Sequence, residues 1–450
     1  MIMEHSGIKL NHSGVSRRRR PLDAAGLLCT QTVRLLFASP VGTPFMPDSP
    51  PEPPPPPDRR EFLSVQPLRD RLASSLEGES PVGEAPSLAD RSQATSEQWL
   101  QHFSHRAMAA EFQVYLNLGQ HPIGPTAVLE GFTLVDQLED RFSIFRPHSD
   151  LSRVNQLAAA TPIPVDSDLF GLLDLAARLH RETSGAFDIA TTALSRVWNF
   201  LSRTPRVPPA EAIAAALEIS GQRHVFLEPS ERSVSLRRRG VELNLHSIGK
   251  GFAVQKLAEH LHLAGVRDFL IHGGQSSVFA AGSCLPAGPD RSGWKVGLTH
   301  PIVPEQRIAE LLLSNQAIGT SGSARQGLVH QGRRLGHILD PRSGWPASHW
   351  LSTTVLHPNP AWADALATAF FVMTEEEVVR YCEYHPEIAA IHFASREPGG
   401  RLELRLFRFP VAQLEFNERF QYVPVVEVIP PNSAASSASK FAPPLPPFAE

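Results

Sequence analysis

Cysteine is scarce in this chain. Cys29, Cys284 and Cys382 are the only three in 450 residues, odd in number and far apart. They supply neither a disulfide framework nor the clustered thiols of a structural zinc site. A large excess of either charge is missing as well: the formal net charge of -4 gives no electrostatic basis for binding nucleic acid or an anionic membrane surface. No stretch approaches about 18 uninterrupted apolar residues, so no transmembrane helix is expected.

Proline, by contrast, is abundant and unevenly placed. Pro50 to Pro57 is almost all proline, and the chain from there to about Glu97 is rich in Ser, Glu and Pro. Such a segment buries too little apolar surface to offset its ordering entropy, and reads as a polyproline spacer with a disordered linker. Upstream, Ser16 to Arg20 (SRRRR) precedes a moderately apolar stretch, Pro21 to Pro40, interrupted by Asp23, Gln31 and Arg34. It reads as a basic leader more readily than as a twin-arginine-like export signal. Cys29 lacks the small residue just before it that a lipoprotein signal wants. These features favour a soluble, cytoplasmic protein and leave export open. Pro430 to Glu450 alternates Pro with Ser and Ala. The expected organisation is a disordered leader and linker at 1–97, one folded domain at 98–428 and a disordered tail at 429–450.

Within the folded region helical and strand patterns alternate. Ala127 to Arg141 places Val128, Phe132, Val135 and Leu138 on one face, after Pro125 and Thr126 as start signals. Asp168 to Glu182 repeats the pattern, with Ser167 as the expected N-cap and Gly185 just past the end. Gly251 to Ala264 is closed by Gly265, and Asp268 to His272 reads as a short buried strand. Trp362 to Met373 is helical, and Thr374 caps a second helix, Glu375 to Tyr384. Arg401 to Phe409 alternates as a strand, paired across Pro398-Gly399-Gly400 with Ile391 to Ala394. Arg307 to Leu313 fits helix and strand equally. The class is therefore mixed α/β (α+β) rather than purely doubly wound.

Several short segments could carry chemistry. In Trp362 to Phe370 (WADALATAF), Asp364 and Thr368 stand four residues apart, on one helical face. Both are hard oxygen ligands, suited to Mg²⁺ and through it to a phosphate; an exposed Asp beside a core-facing Thr is the plain alternative. Asn244 to Gly251 (NLHSIGKG) runs from an expected strand into a helix, and its Gly-Lys-Gly offers free N–H groups and the Lys250 ammonium to an anion, with a plain exposed lysine an equal alternative. The upstream glycine and following Ser/Thr of a Walker loop are absent. Gly185-Ala186-Phe187-Asp188 ends a helix, and its Asp188 suits capping better than ligand binding. Ile271 to Gln275 (IHGGQ) has two glycines at a strand end but no G-x-G-x-x-G, which disfavours a nicotinamide-type fold. Ala317 to Gly322 (AIGTSG) is a strand running into hydroxyls. Gly336 to Gly344 (GHILDPRSG) sets His337 and Asp340 before a proline turn, with His337 a candidate general base or, equally, a histidine satisfied on a strand edge.

Taken in order, these segments resemble the ApbE family of FAD:protein FMN transferases. The resemblance runs from about His105 to Phe409. It includes Met108 in MAAEF, RFSIFRPHSDLSRVN at Arg141 to Asn155, GAFDIATTALSRVWNF, NLHSIGKGFAV, HGGQ, WKVGLTHP, AIGTSG, HILDPRSGWP and ADALATAFF. The family is an α/β fold that binds FAD with Mg²⁺ and transfers FMN to a threonine hydroxyl of an acceptor flavoprotein, releasing AMP; some members hydrolyse FAD instead. The resemblance implies that Met108, Ala186, Phe187, Asp188 and Asn244 contact the flavin nucleotide and that Lys250 approaches its phosphates. It implies Asp364, Thr368 and the backbone carbonyl of Ser247 as Mg²⁺ ligands, and His337 as the base for the acceptor hydroxyl. Flavin would then be a substrate, with no redox step.

The chain departs from the family pattern at several positions. Asn244 stands where the family usually has Asp, His246 where it has a small residue, and Gln275 and Ser323 where it has acids. Ala109, Ala110 and Glu111 replace a Gly-Thr-Thr pattern. Three outcomes stay open at this point: FMN transfer, FAD pyrophosphatase activity with water as acceptor, or a flavin-binding protein with impaired catalysis. The intact set of Lys250, Asp364, Thr368 and His337 favours an active enzyme.

Overall fold

A computed structural model describes residues 99–202, 204–285, 292–303, 305–323, 327–395 and 401–431. The expected leader and linker at 1–97, the tail beyond 431 and the Pro398-Gly399-Gly400 turn lie outside the described residues.

One nine-stranded sheet organises the domain. Its strands are β1 (Leu100–Ala107), β2 (Ala110–Asn117), β3 (Phe269–Gly273), β4 (Ser277–Ala281), β5 (Gln316–Gly322), β6 (Ser352–His357), β7 (Ala389–Ser395), β8 (Leu402–Phe407) and β9 (Val425–Ile429). Their order across the sheet is their order along the chain. Each neighbouring pair is antiparallel except β8 and β9, which are parallel. The last strand carries the fold to Ile429, one residue past the boundary expected at 428.

Helices enter this meander in two insertions. Between β2 and β3 come α1 (Gly124–Phe142), α2 (Asp150–Leu157), α3 (Ser167–Glu182), α4 (Thr192–Val197), α5 (Ala210–Glu218) and α6 (Gly249–Leu263). Between β6 and β7 come α7 (Pro360–Val372) and α8 (Glu375–Tyr384). Strand alternation divides the core into two layers. Phe112, Val114, Phe269 and Ile271 pack beneath the helices. Leu270, Val278, Ile318, Leu356 and Ile391 point the other way, onto a smaller sheet of Trp294–Thr299, Arg307–Leu313 and Leu414–Phe416. The segment Arg307–Leu313 is thus a strand, the central one of three, and both its neighbours supply ladder bonds. The result is the expected mixture of helices and sheets.

Three local expectations change. The N-cap of α3 is Asp166, not Ser167: Asp166 Oδ1 accepts from the N–H groups of Asp168 and Leu169 at 2.7 and 3.1 Å. Its other attachment, an ion pair with Arg141, fixes the carboxylate there. Residues 241–245, ahead of α6, form no strand. Their backbone is tied instead to a side chain and a loop: Asn155 exchanges bonds with Leu243 N and O, and Asn244 N donates to Ile189 O. Finally, α6 begins at Gly249, two residues before the expected start. At α8 the reading holds, with Thr374 and Glu377 forming a reciprocal capping box.

Two glycines let the layers close. A Cβ on Gly251 of α6 would lie 2.4 Å from Pro360 O and 2.6 Å from Asp364 Cβ; one on Gly319 of β5 would lie 2.1 Å from Ala363 O. Helix α7 is therefore pressed against both α6 and β5, and this contact positions Asp364.

Candidate active site

A cavity of about 510 Å³ opens where the start of α6, the middle of α7, the end of β5 and the loop after α3 converge. Asp364 lies at its base and is only 4 % exposed. Its Oδ2 accepts the Gly251 N–H at 2.9 Å, and its Oδ1 accepts the Ser277 hydroxyl at 3.0 Å. Gly251 is in the first turn of α6, where N–H groups have no partner within the helix. Asp364 thus caps a helix from another element. Burial raises its pKa above the ordinary carboxylate range, against the Lys250 charge and the two hydrogen bonds, which favour the ionised form.

One turn along α7, Thr368 Oγ1 sits 3.1 Å from Ser321 Oγ. Thr320, beside it on β5, exchanges a hydroxyl bond with Thr354 of β6 at 3.0 Å. The plain alternative for WADALATAF fails on burial, because Asp364 is enclosed. The arrangement presents one carboxylate and several hydroxyls to the cavity. Among the described residues no group of three or more His, Cys, Asp or Glu is placed to hold a metal.

Lys250 stands in the first turn of α6 and donates from Nζ to His246 O at 3.3 Å. Asn244 Oδ1 accepts His246 N–H at 3.0 Å. The turn before α6 is therefore held by its own polar groups. The His246 ring faces the cavity beside Phe145, with centroids 6.0 Å apart and planes 28° apart. Surrounding protein, and then the charges of Lys250 and His337, pull its pKa down to about 4. Its side chain is accessible from the cavity, so water there moderates the desolvation part of that fall.

Ala186, Phe187 and Asp188 also line the cavity, but the Asp188 carboxylate is turned into the protein, with 2 % of its side chain exposed. It accepts from Ala190 N at 2.7 Å and Gln222 N at 2.8 Å, and pairs with His180 Nδ1 at 3.1 Å. Capping is its visible role. Burial disfavours a charged His180, yet the Asp188 bond and charge outweigh it and raise the His180 pKa. His337 reaches the cavity from the segment after the hairpin Gly327–His330/Arg333–Gly336. Its sequence neighbour Asp340 is engaged elsewhere, accepting from Arg342 N at 2.9 Å and Arg342 Nε at 3.0 Å.

The cavity thus gathers Ala186, Phe187, Asp188, Asn244, Ser247, Lys250, His337, Asp364 and Thr368. Met108 is not among its lining residues. With Ala109 it forms a two-residue turn between β1 and β2, both at positive φ, and its side chain packs on the helix-side core. Of the departures from the family pattern, Asn244 and His246 line the cavity, whereas Gln275, Ser323, Ala109, Ala110 and Glu111 do not. Sequence reasoning missed Phe145, Ser276 and Ser277. Their hydroxyls and ring carry no periodic signal, and only the long-range approach of strand and helix gives them a role.

Fold and site together define a layered α/β protein with a polar cavity joining a lysine, two histidines, a buried carboxylate and a row of hydroxyls. The sequence model of the ApbE family matches residues 108–392, more than half of the chain, and the chain belongs to that family. It is 31 % identical over 276 residues to an FAD:protein FMN transferase of Treponema pallidum, covering 59 % of this chain and 76 % of that one. An FAD:protein FMN transferase of Vibrio cholerae is 30 % identical over 256 residues, 56 % of this chain and 74 % of that one. The apo crystal structure of Pseudomonas stutzeri flavinyl transferase ApbE superposes with a TM-score of 0.59 at 28 % identity, covering 68 % of this chain and 93 % of that one. Among the described residues no helix is long and apolar enough to cross a membrane.

Proposed function

We propose that the chain transfers the FMN part of FAD to a threonine hydroxyl of an acceptor flavoprotein and releases AMP. The observation that carries this reading is the convergence of Lys250, His337, Asp364 and Thr368 on one cavity. In the step, the acceptor oxygen forms a bond to the FMN phosphorus as the bond from that phosphorus to the AMP phosphate oxygen breaks. His337 takes the hydroxyl proton, and AMP leaves with the bond's electron pair. Lys250 offsets the charge on the pyrophosphate, so catalysis rests on positioning and electrostatics. Ala186, Phe187 and Asn244 are proposed to border the flavin nucleotide, and Asp188 to hold their loop in shape.

The oxygen groups fit Mg²⁺. Each Asp364 oxygen accepts one hydrogen bond and keeps a lone pair, and a carboxylate nearly buried at the cavity base gains from a cation. Asp364, Thr368 and the Ser247 carbonyl would hold the ion, and a single carboxylate suits a metal that keeps several waters. Bound there, Mg²⁺ would supply further charge neutralisation at the phosphates.

Incubating the chain with FAD, Mg²⁺ and an acceptor flavoprotein tests the proposal. Covalent FMN on a threonine, with AMP released in equal amount, is expected. Free FMN with no protein-bound flavin would assign hydrolysis instead, and FAD binding without turnover would assign a binding protein.

A further inference from the structure

We propose that His246 is a substrate-contacting residue: its ring, set beside Phe145, forms an aromatic wall at the Lys250 end of the cavity that takes a planar heterocycle of the dinucleotide. The inference rests on the FAD reading and deepens it.

The remainder of the cavity near Lys250 is rich in hydroxyls and charge, which suit phosphate and offer a ring little surface. Phe187 and Phe200 also border the cavity but are buried in the core, whereas Phe145 and His246 stand exposed to it. Phe145 is 65 % exposed, an unusual state for a phenylalanine lining a concave site, and its neighbour His246 is open to the same space. At 6.0 Å and 28° the rings are too close to admit a third between them, so a ligand ring lies along their shared outer surface. Both are held by their backbones. Phe145 N donates to Ser143 Oγ at 3.1 Å, while His246 N and O are tied to Asn244 and Lys250. The tie to Lys250 puts the wall next to the proposed phosphate contact, as a nucleotide requires. The paired rings leave an aromatic face open to the cavity beside the lysine.

The test uses FMN and ADP, which carry the two heterocycles separately and are not substrates of the transfer, alongside FAD itself. Calorimetric titration of the full chain should show His246→Ala weakening FAD and one of the two half-ligands about fivefold, the size of a lost aromatic contact. The half-ligand affected identifies the ring. His246→Phe should restore affinity to within about twofold of wild type, and His246→Gln should not. Unchanged affinity in His246→Ala, or rescue by Gln and not by Phe, overturns the inference while leaving the FAD reading intact. A wild-type chain that binds none of the three overturns the FAD reading, and the inference with it.

Discussion

The carboxylate of Asp364 on α7 accepts the backbone N–H of Gly251 on α6 at 2.9 Å, across 113 positions of sequence. A single side chain therefore serves two ends. It caps a helix start that has no side-chain cap of its own, and it brings an enclosed negative group beside Lys250. The two roles make separable predictions.

Asp364→Ala orphans the Gly251 N–H and the Ser277 hydroxyl, at a cost of about 1–3 kcal/mol, measurable by urea unfolding. The pH dependence has a definite sign. Because burial raises the Asp364 pKa, its contribution is fully present below the unfolded carboxylate value and is lost as pH rises through the folded value. A cation bound to the ionised form reverses that loss. Mg²⁺ should accordingly raise the wild-type Tm above the folded pKa, with a smaller effect below it, and leave Asp364→Ala unmoved. An equal Mg²⁺ shift in the variant would remove Asp364 from the metal site.

Gly319→Ala should be worse than its size suggests. The new Cβ meets the carbonyl of Ala363 at 2.1 Å and Asp364 N at 2.6 Å, and backbone atoms cannot rotate aside. We expect α7 to be pushed off β5, with a loss of about 1–3 kcal/mol or more and a fall in transfer activity as Asp364 shifts. Gly171→Ala in α3 meets nothing within 4 Å and should stabilise by about 0.5–1 kcal/mol. Equal urea midpoints for the two variants would show that the α7–β5 contact is looser than the structure gives.

Much of this fold is written locally. Thr374 announces α8, and the alternation of Leu402, Leu404 and Leu406 announces β8. Asp364 and Thr368 declare their shared face by spacing alone. What local pattern could not show is who meets whom. Arg307–Leu313 (RIAELLL) has apolar residues that fit either period, so it is ambiguous until a strand pairs on each side. Asp166 outcompetes Ser167 as a cap because Arg141, 25 positions earlier in the numbering, anchors it. Ser277 and Gly251 become partners of Asp364 only through close approach of α6, α7 and β4. The resemblance implies Met108 at the flavin nucleotide, and no local pattern shows that its side chain packs against the helix-side core.

The Asp188–His180 pair carries an alkaline dependence. His180 has a raised pKa, so its contribution is complete below the unfolded histidine value of about 6.5 and is lost as pH rises through the higher folded value. His180→Asn should thus cost more stability at pH 5.5 than at pH 8.5. Asp188→Ala should cost about 1–3 kcal/mol at both, because Ala190 N and Gln222 N lose their acceptor whatever the pH. Urea unfolding at the two pH values checks both. A His180→Asn penalty that grew with pH would contradict the pairing.

His392 sets the acid limit. It is fully buried on β7 among Trp350, Phe370 and Phe407, and among the described residues neither ring nitrogen has a hydrogen-bond partner. Burial, and then the Arg405 charge, push its pKa down to about 3. The sign is opposite to that of His180: stability is full above about pH 6.5 and falls as the unfolded chain takes up the proton. Between pH 7 and 5 the wild type should lose on the order of 2 kcal/mol more than His392→Leu. Parallel urea curves for the two proteins across that range would mean that the folded core accepts the proton after all.

His337 separates chemistry from binding. As the proposed base it acts on the acceptor's hydroxyl proton and not on FAD, so its removal should spare the flavin complex. His337→Asn is expected to lose about 10²–10⁴ in transfer rate with FAD affinity within a few-fold of wild type. His246 is a poor substitute: with a pKa near 4 it holds a proton too weakly to serve as an efficient base at neutral pH. Single-turnover transfer measured beside FAD titration distinguishes the cases. A rate loss under tenfold would take His337 out of proton transfer, and a matched loss of affinity would make it a binding residue.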